Sequence, residues 1–120
     1  MNEIVYSRKH DLEGRTLKFA GNVADFVNGI PRTIPNIEFG KQLVRSAGSI
    51  GANYIEANEA LSKKDFSMRI KICRKEAKET CYWLKLVQIK LEQDDKKQLL
   101  IQESTELMKI FGAIAEKTKP

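Results

Sequence analysis

The chain has 120 residues, 42% of them hydrophobic and 31% charged, with a net charge of +5 and a pI near 9.2. That length builds one folded domain around one core, and no apolar run approaches the roughly 18–20 residues that span a membrane. The opening MNEIVYSRKHDLEGR lacks the apolar stretch of a signal peptide, so a cytoplasmic protein is expected, and a basic one whose partner is acidic, nucleic acid above all.

Residues 1–10 are polar and mixed and read as a short extended or frayed segment. A first helix is predicted over about residues 11–29, with Asp11 as its cap. Its inward stripe is Leu12, Thr16, Phe19, Val23, Phe26 and Ile30, and Asn28-Gly29 ends it. The segment from Ile30 to Asn36, IPRTIPN, carries two prolines and reads as a stiff loop, with Asn36 as the cap of the next helix. A second helix is predicted over about residues 37–60. Phe39, Leu43, Ala47, Ile50, Tyr54, Ala57 and Leu61 alternate by three and four, as in bundles with shallow crossing angles. Its middle is rich in small residues, and each interior glycine costs about 1 kcal/mol relative to alanine. Gly48 and Gly51, with Val44 and Ile55, therefore mark a second face to which another backbone comes close.

Ser62 begins a third helix, with Asp65 three residues on as in a capping box. It is predicted over about residues 63–91, and the rest of the chain is organised around it. Phe66, Ile70, Cys73, Ala77, Cys81, Leu84, Gln88 and Leu91 make its main stripe. Met68, Ile72, Trp83 and Leu86 fall roughly 120–160° away, at about 100° per residue. A helix in a small bundle needs one apolar stripe, so the second faces either another helix of the chain or another subunit. Lys64, Lys71, Arg74, Lys75, Lys78 and Lys85 share a further sector about 100° wide. Between Lys63 and Lys90 nine basic residues stand against three acids, a balance of +6. Residues 1–62 balance at 0 and residues 91–120 at −1, so the excess positive charge belongs to this one helix.

Cys73 and Cys81 are eight residues apart, about 12 Å along a helix, too far for a disulfide whose Cα atoms must lie within about 7 Å. Both lie on the apolar stripe and read as buried thiols. A short polar turn from Glu92 to Lys96 makes the third helix antiparallel to a fourth, over about residues 95–117, with the stripe Leu100, Ser104, Leu107, Phe111 and Ile114. Met108 and Ala115 lie beside that stripe, and KTKP should fray. The fold class is all-α, one domain folded as an antiparallel up-down-up-down four-helix bundle.

Two segments carry a family resemblance: Arg45 to Ala57, RSAGSIGANYIEA, and Asp65 to Leu84, DFSMRIKICRKEAKETCYWL. With RTLKFA (Arg15 to Ala20), Pro31 and EFGKQL (Glu38 to Leu43), they resemble the 23S rRNA intervening-sequence family of four-helix-bundle proteins. The resemblance covers roughly Asp11 to Leu86, and the fourth helix matches only in general character. It implies a bacterial origin, an antiparallel bundle, assembly as a barrel-like homopentamer, and no enzymatic activity. A relative, the accessory protein of diversity-generating retroelements, is a basic pentamer that binds nucleic acid and a reverse transcriptase. The family name records where the gene can sit and does not establish ribosome binding.

The basic stripe has two readings: a phosphate-contacting surface for RNA or DNA, or a solvated face. Repetition around a ring favours the first, because five copies of a +5 chain make a field of about +25 that attracts polyanions. Lys64, Lys71, Arg74, Lys75, Lys78 and Lys85 are the nucleic-acid candidates, with Tyr82 near enough to stack on a base. Met68, Ile72, Trp83 and Leu86 are the candidates for an oligomer interface. Glu56-x-x-Glu59 and Glu76-x-x-Glu79 invite a di-metal site, but that chemistry uses Glu-x-x-His pairs, and the only histidine is His10. Glu56 and Glu76 read instead as partners of Arg45 or Arg74. No metal or other cofactor is expected. No nucleophile–base pair is visible, so an enzyme is not expected. The alternative to nucleic-acid binding is a protein–protein adaptor whose charge serves solubility.

Overall fold

The computed structural model describes the backbone of residues 3–119 and the side chains of residues 11–119. Helix α1 spans Glu3–Gly29. It starts eight residues before the expected Asp11 cap, because nothing between Glu3 and Asp11 is a proline or glycine that would stop it. Its expected stripe, Leu12 through Ile30, is buried throughout. No described residue has a positive φ, so Gly29 ends the helix without a left-handed cap. Its carbonyl is satisfied instead by the Gln93 side-chain amide at 2.6 Å.

Helix α2 spans Ile34–Asn58. Thr33, not Asn36, is its cap: the Thr33 hydroxyl accepts from the Asn36 backbone N–H at 3.2 Å. Pro35 sits in the first turn, where its missing N–H costs nothing, so the proline-rich segment begins a helix that starts three residues earlier than expected. Asn36 has another task. Its side chain is buried; Nδ2 donates to Pro31 O and Gln88 O, both at 2.8 Å, and Oδ1 accepts from Gln88 N–H at 2.8 Å.

Helix α3 spans Lys63–Leu86, with the Ser62 hydroxyl accepting from Asp65 N–H at 3.1 Å. It ends five residues before the expected Leu91. The Asn36 amide takes both backbone groups of Gln88, and residues 87–90 leave the helix with Val87 buried. Gln88 and Leu91 therefore do not continue the stripe; Leu91 is 91% exposed. Leu61, expected on the α2 stripe, lies past that helix's end and is exposed as well. A single 3-10 turn, Leu91–Gln93, leads into α4, Asp94–Lys117.

The four helices form an antiparallel bundle 47 Å long and 24 by 19 Å across. Each packs on its neighbours in sequence, and α4 closes back on α1 more sparsely. Phe19, Val23 and Phe26 of α1, Leu43 and Ile50 of α2, Ile70 and Leu84 of α3, and Leu107 and Phe111 of α4 fill the core. The small residues of α2 divide between two neighbours. Ser46 is buried on the α3 side, where Thr80 Oγ1 bonds Ser46 Oγ at 2.9 Å. Gly51 faces α1: a Cβ there would stand 2.8 Å from Thr16 Oγ1. Gly48 faces neither, and a Cβ there would meet nothing within 4 Å. Cys73 and Cys81 are both buried and unpaired, and burial pushes the Cys73 thiol up to about 12.

Arg45 of α2 is tied to two carboxylates of α3, Glu76 at 3.2 Å and Glu79 at 2.5 Å. Glu79 also accepts from Trp83 Nε1 at 3.1 Å. Partial burial alone would push the Glu79 carboxyl up, but Trp83, Arg45 and the charge of Lys75 together hold it below its ordinary 4.5. Glu56 makes no ion pair among the described residues.

Three outcomes are expected. Asn36→Leu orphans three backbone groups and lowers the unfolding free energy by about 2–4 kcal/mol in urea titration. Gly48→Ala raises stability by about 0.5–1 kcal/mol, while Gly51→Ala lowers it, in the same assay; equal effects would remove the assignment of Gly51 to the α1 contact. A carboxylate whose folded pKa is depressed stabilises fully above its unfolded value and loses that stabilisation as pH falls. Stability should thus decline as pH falls below 4.5, followed by Trp83 emission, and Glu79→Gln should flatten that part of the curve.

Candidate nucleic-acid interface

Helix α3 meets α2 on one flank and α4 on another, which leaves a strip of its surface to solvent. Lys64, Lys71, Arg74, Lys75, Lys78 and Lys85 all lie on that strip and all are exposed. Among the described residues none of the six takes part in an ion pair. Elsewhere among the described residues Arg15, Lys41, Arg45 and Lys119 pair with carboxylates, while Lys18, Arg32, Lys96, Lys97 and Lys109 do not. What sets the six apart is that they share one side of one helix, where α3 supplies few acids to answer them. Of its three acids, Asp65 lies in the first turn, while Glu76 and Glu79 pair with Arg45 of α2, and Glu79 still feels the charge of Lys75.

A shallow groove runs along this strip to the edge of α4. It is lined by Lys71, Arg74, Lys75, Lys78 and Lys109, with Met68, Ile72 and Met108 as its apolar part. Arg74 lays its aliphatic stem over Gly112 of α4: a Cβ on that glycine would stand 3.5 Å from Arg74 Cδ. Lys109 is a cation that the reading of single helices missed, since residues 91–120 are slightly acidic as a whole. Its signal lay in pairing two helices. With Leu107 and Phe111 facing the core and α4 antiparallel to α3, Met108 and Lys109 fall at the edge nearest the α3 stripe. At the N-terminal end of α3, Lys63 shares a second depression with Lys117 and Lys119.

The four interface candidates do not form one patch. Met68, 51% exposed, and the half-buried Ile72 line the basic groove. Trp83 lies eleven residues beyond Ile72, about 16 Å along the helix, with its ring 6.0 Å from that of Phe39 in α2. Leu86, partly exposed, is in the last turn. Tyr82 stands near the C-terminal end of the basic strip, between Lys78 and Lys85, 58% exposed, its ring edge-on to Trp83 at 5.0 Å. Among the described residues no group of three or more His, Cys, Asp or Glu is placed to hold a metal ion; the His10 side chain lies outside them. No described helix is long and apolar enough to cross a membrane.

Comparison with known proteins bears on the chain as a whole. No curated protein matches it. Among solved structures it is similar to a protein of unknown function from the S23 ribosomal protein family of Bacteroides thetaiotaomicron, with 31% identity and a TM-score of 0.76. The likeness covers 90% of this chain and 97% of that one. The sequence profile of the 23S rRNA-intervening sequence proteins matches residues 8–113, which takes in most of α1, all of α2 and α3, and α4 nearly to its end. The chain belongs to the 23S rRNA-intervening sequence protein family.

Proposed function

We propose that the protein is a non-enzymatic, self-assembling bundle that binds nucleic acid through the exposed cations of α3. The observation that carries this reading is the unpaired state of Lys64, Lys71, Arg74, Lys75, Lys78 and Lys85 on one side of one helix. Cations at successive turns match a phosphate backbone, and their binding releases condensed counterions from it. Lys109 widens the same surface from α4.

Assembly repeats that surface and multiplies its field. Met68 and Ile72 are poor candidates for the contact between copies, because the cations beside them would be brought together with those of the partner. The outer side of α2 suits that contact better. Ile37, Val44 and Ile55 are exposed there, on the helix that also carries the uncovered Gly48. Trp83, next to Phe39, and the partly exposed Leu86 sit away from the groove and remain candidates for the same role. A ring of five copies in the cytoplasm is the assembly the family resemblance favours.

The test is binding to a structured RNA and to a matched DNA duplex across a salt series, with mass measured on the same sample. If all six cations meet phosphates, the log–log slope against salt is about −5.4 per protomer on the duplex and about −4.2 on single-stranded regions. Reversing Lys71, Lys75 and Lys78 to Glu should reduce that slope by about half. An assembled oligomer that binds neither nucleic acid at low salt would overturn the reading and leave the strip as a solvated face on a protein–protein adaptor.

A further inference from the structure

We infer that the basic strip of α3 takes single-stranded rather than duplex nucleic acid, with unstacked bases resting on Tyr82 and Met68; this rests on the nucleic-acid reading above. A surface built only for phosphates has no use for exposed apolar side chains between its cations. Here two large ones stand among them, Tyr82 at 58% and Met68 at 51% exposure. Each is bracketed along the helix. Tyr82 has Lys78 one turn before it and Lys85 one turn after; Met68 has Lys64 and Lys71 in the same positions.

Tyr82 is also held ready. Its ring stands edge-on to Trp83, with an interplanar angle of 75°. Trp83 is in turn anchored by its hydrogen bond to Glu79 and by packing against Phe39. Among the described residues the Tyr82 hydroxyl makes no hydrogen bond within the chain. A phenol ring fixed by its neighbour and open to solvent offers a flat face for a base, and such stacking tolerates any sequence. The polarizable thioether of Met68 is suited to the same kind of contact.

An undistorted duplex offers no base face to either side chain, since its bases cover one another and it presents phosphates and groove edges. A single strand can turn bases toward the helix while its phosphates meet the flanking lysines. Met68 and Tyr82 are fourteen residues apart, about 21 Å along the axis, a length spanned by about six phosphates at the stacked spacing and by fewer where the bases are splayed out. The charge complementarity is that of one polyanion lying along α3.

The experiment compares three labelled probes at one low salt concentration: a 15-residue thymidine strand, an abasic strand of the same length, and a 15-base-pair duplex. The base-bearing strand is expected to bind about ten-fold more tightly than the abasic one and to change Trp83 emission by altering the Tyr82 ring that touches the indole, which the abasic strand does not do. Tyr82→Ser and Met68→Ser should each lower affinity for the thymidine strand about five-fold and leave the other two probes within two-fold. Tyr82→Phe should restore the loss, which separates stacking from any change in folding. Equal binding of the thymidine and abasic strands, or tighter binding of the duplex, would overturn this inference while the phosphate-binding reading stands. Failure to bind any of the three would overturn both.

Discussion

Asn36 satisfies three backbone groups at once, from the loop between α1 and α2 and from the linker between α3 and α4. Its two amide hydrogens and its carbonyl oxygen are all engaged, and at 3% exposure water cannot replace any of them. The contact draws Gln88 out of helical geometry, ends α3 at Leu86 and turns residues 87–90 across the end of the bundle with Val87 buried. Lys97 of α4 adds to the closure by donating to Lys85 O and Val87 O. The register of α4 against α3 is set by where this linker ends. That register brings Met108 and Lys109 to the rim of the α3 groove and places Gly112 beneath Arg74. The composition of the basic surface is thus tied to one amide at the far end of the bundle.

Within that frame α2, like α3, has neighbours on both flanks. Toward α3 it presents small residues, and the two backbones approach closely enough for Ser46 and Thr80 to bond and for Cys73 Sγ to reach Ile50 O at 3.4 Å. Toward α1 it presents Gly51, where Thr16 takes the space a side chain would fill. Helix α1 needs that contact, because its other seam, against α4, is sparse. The seam is pinned mainly by Arg15, which makes two parallel bonds of 2.7 Å to Glu103. A forked pair of this kind fixes geometry as well as charge. It also explains why Arg15 is lost to the positive surface while the α3 lysines are not.

How much of this is legible in residues alone depends on whether a feature is local. The helical stripes are local: Leu12, Thr16, Phe19, Val23, Phe26 and Ile30 follow the period and are buried. The Ser62 cap is local too, and it forms. The end of α3 is not local. Val87 through Leu91 continue the apolar period, and only Asn36, fifty-two residues away, draws Gln88 aside. The same long-range bond misassigned the α2 cap, since Asn36 is a good capping residue already engaged elsewhere, and Thr33 serves in its place. Of the two interior glycines, Gly51 has the close neighbour that the small-residue pattern implied and Gly48 does not. On the surface, the stripe of six cations could be drawn from the helical wheel. Lys109 could not, because the chain around it is acidic and only tertiary packing brings it across.

The arrangement of charge on α3 argues against a merely solvated face. Lys71–Lys75 and Arg74–Lys78 are like charges one turn apart at i,i+4, and Lys71–Arg74 and Lys75–Lys78 are the same at i,i+3. Each such pair destabilises an isolated helix by about 0.2–0.5 kcal/mol. A face selected only for solubility would intersperse acids and gain by similar amounts. The helix does contain acids in this stretch, Glu76 and Glu79, but both are engaged by Arg45. Arg45 thereby neutralises the two carboxylates that would otherwise have quieted the stripe. The repulsion left behind would be relieved by a polyanion lying along the helix, and this is the physical ground for the binding proposed above.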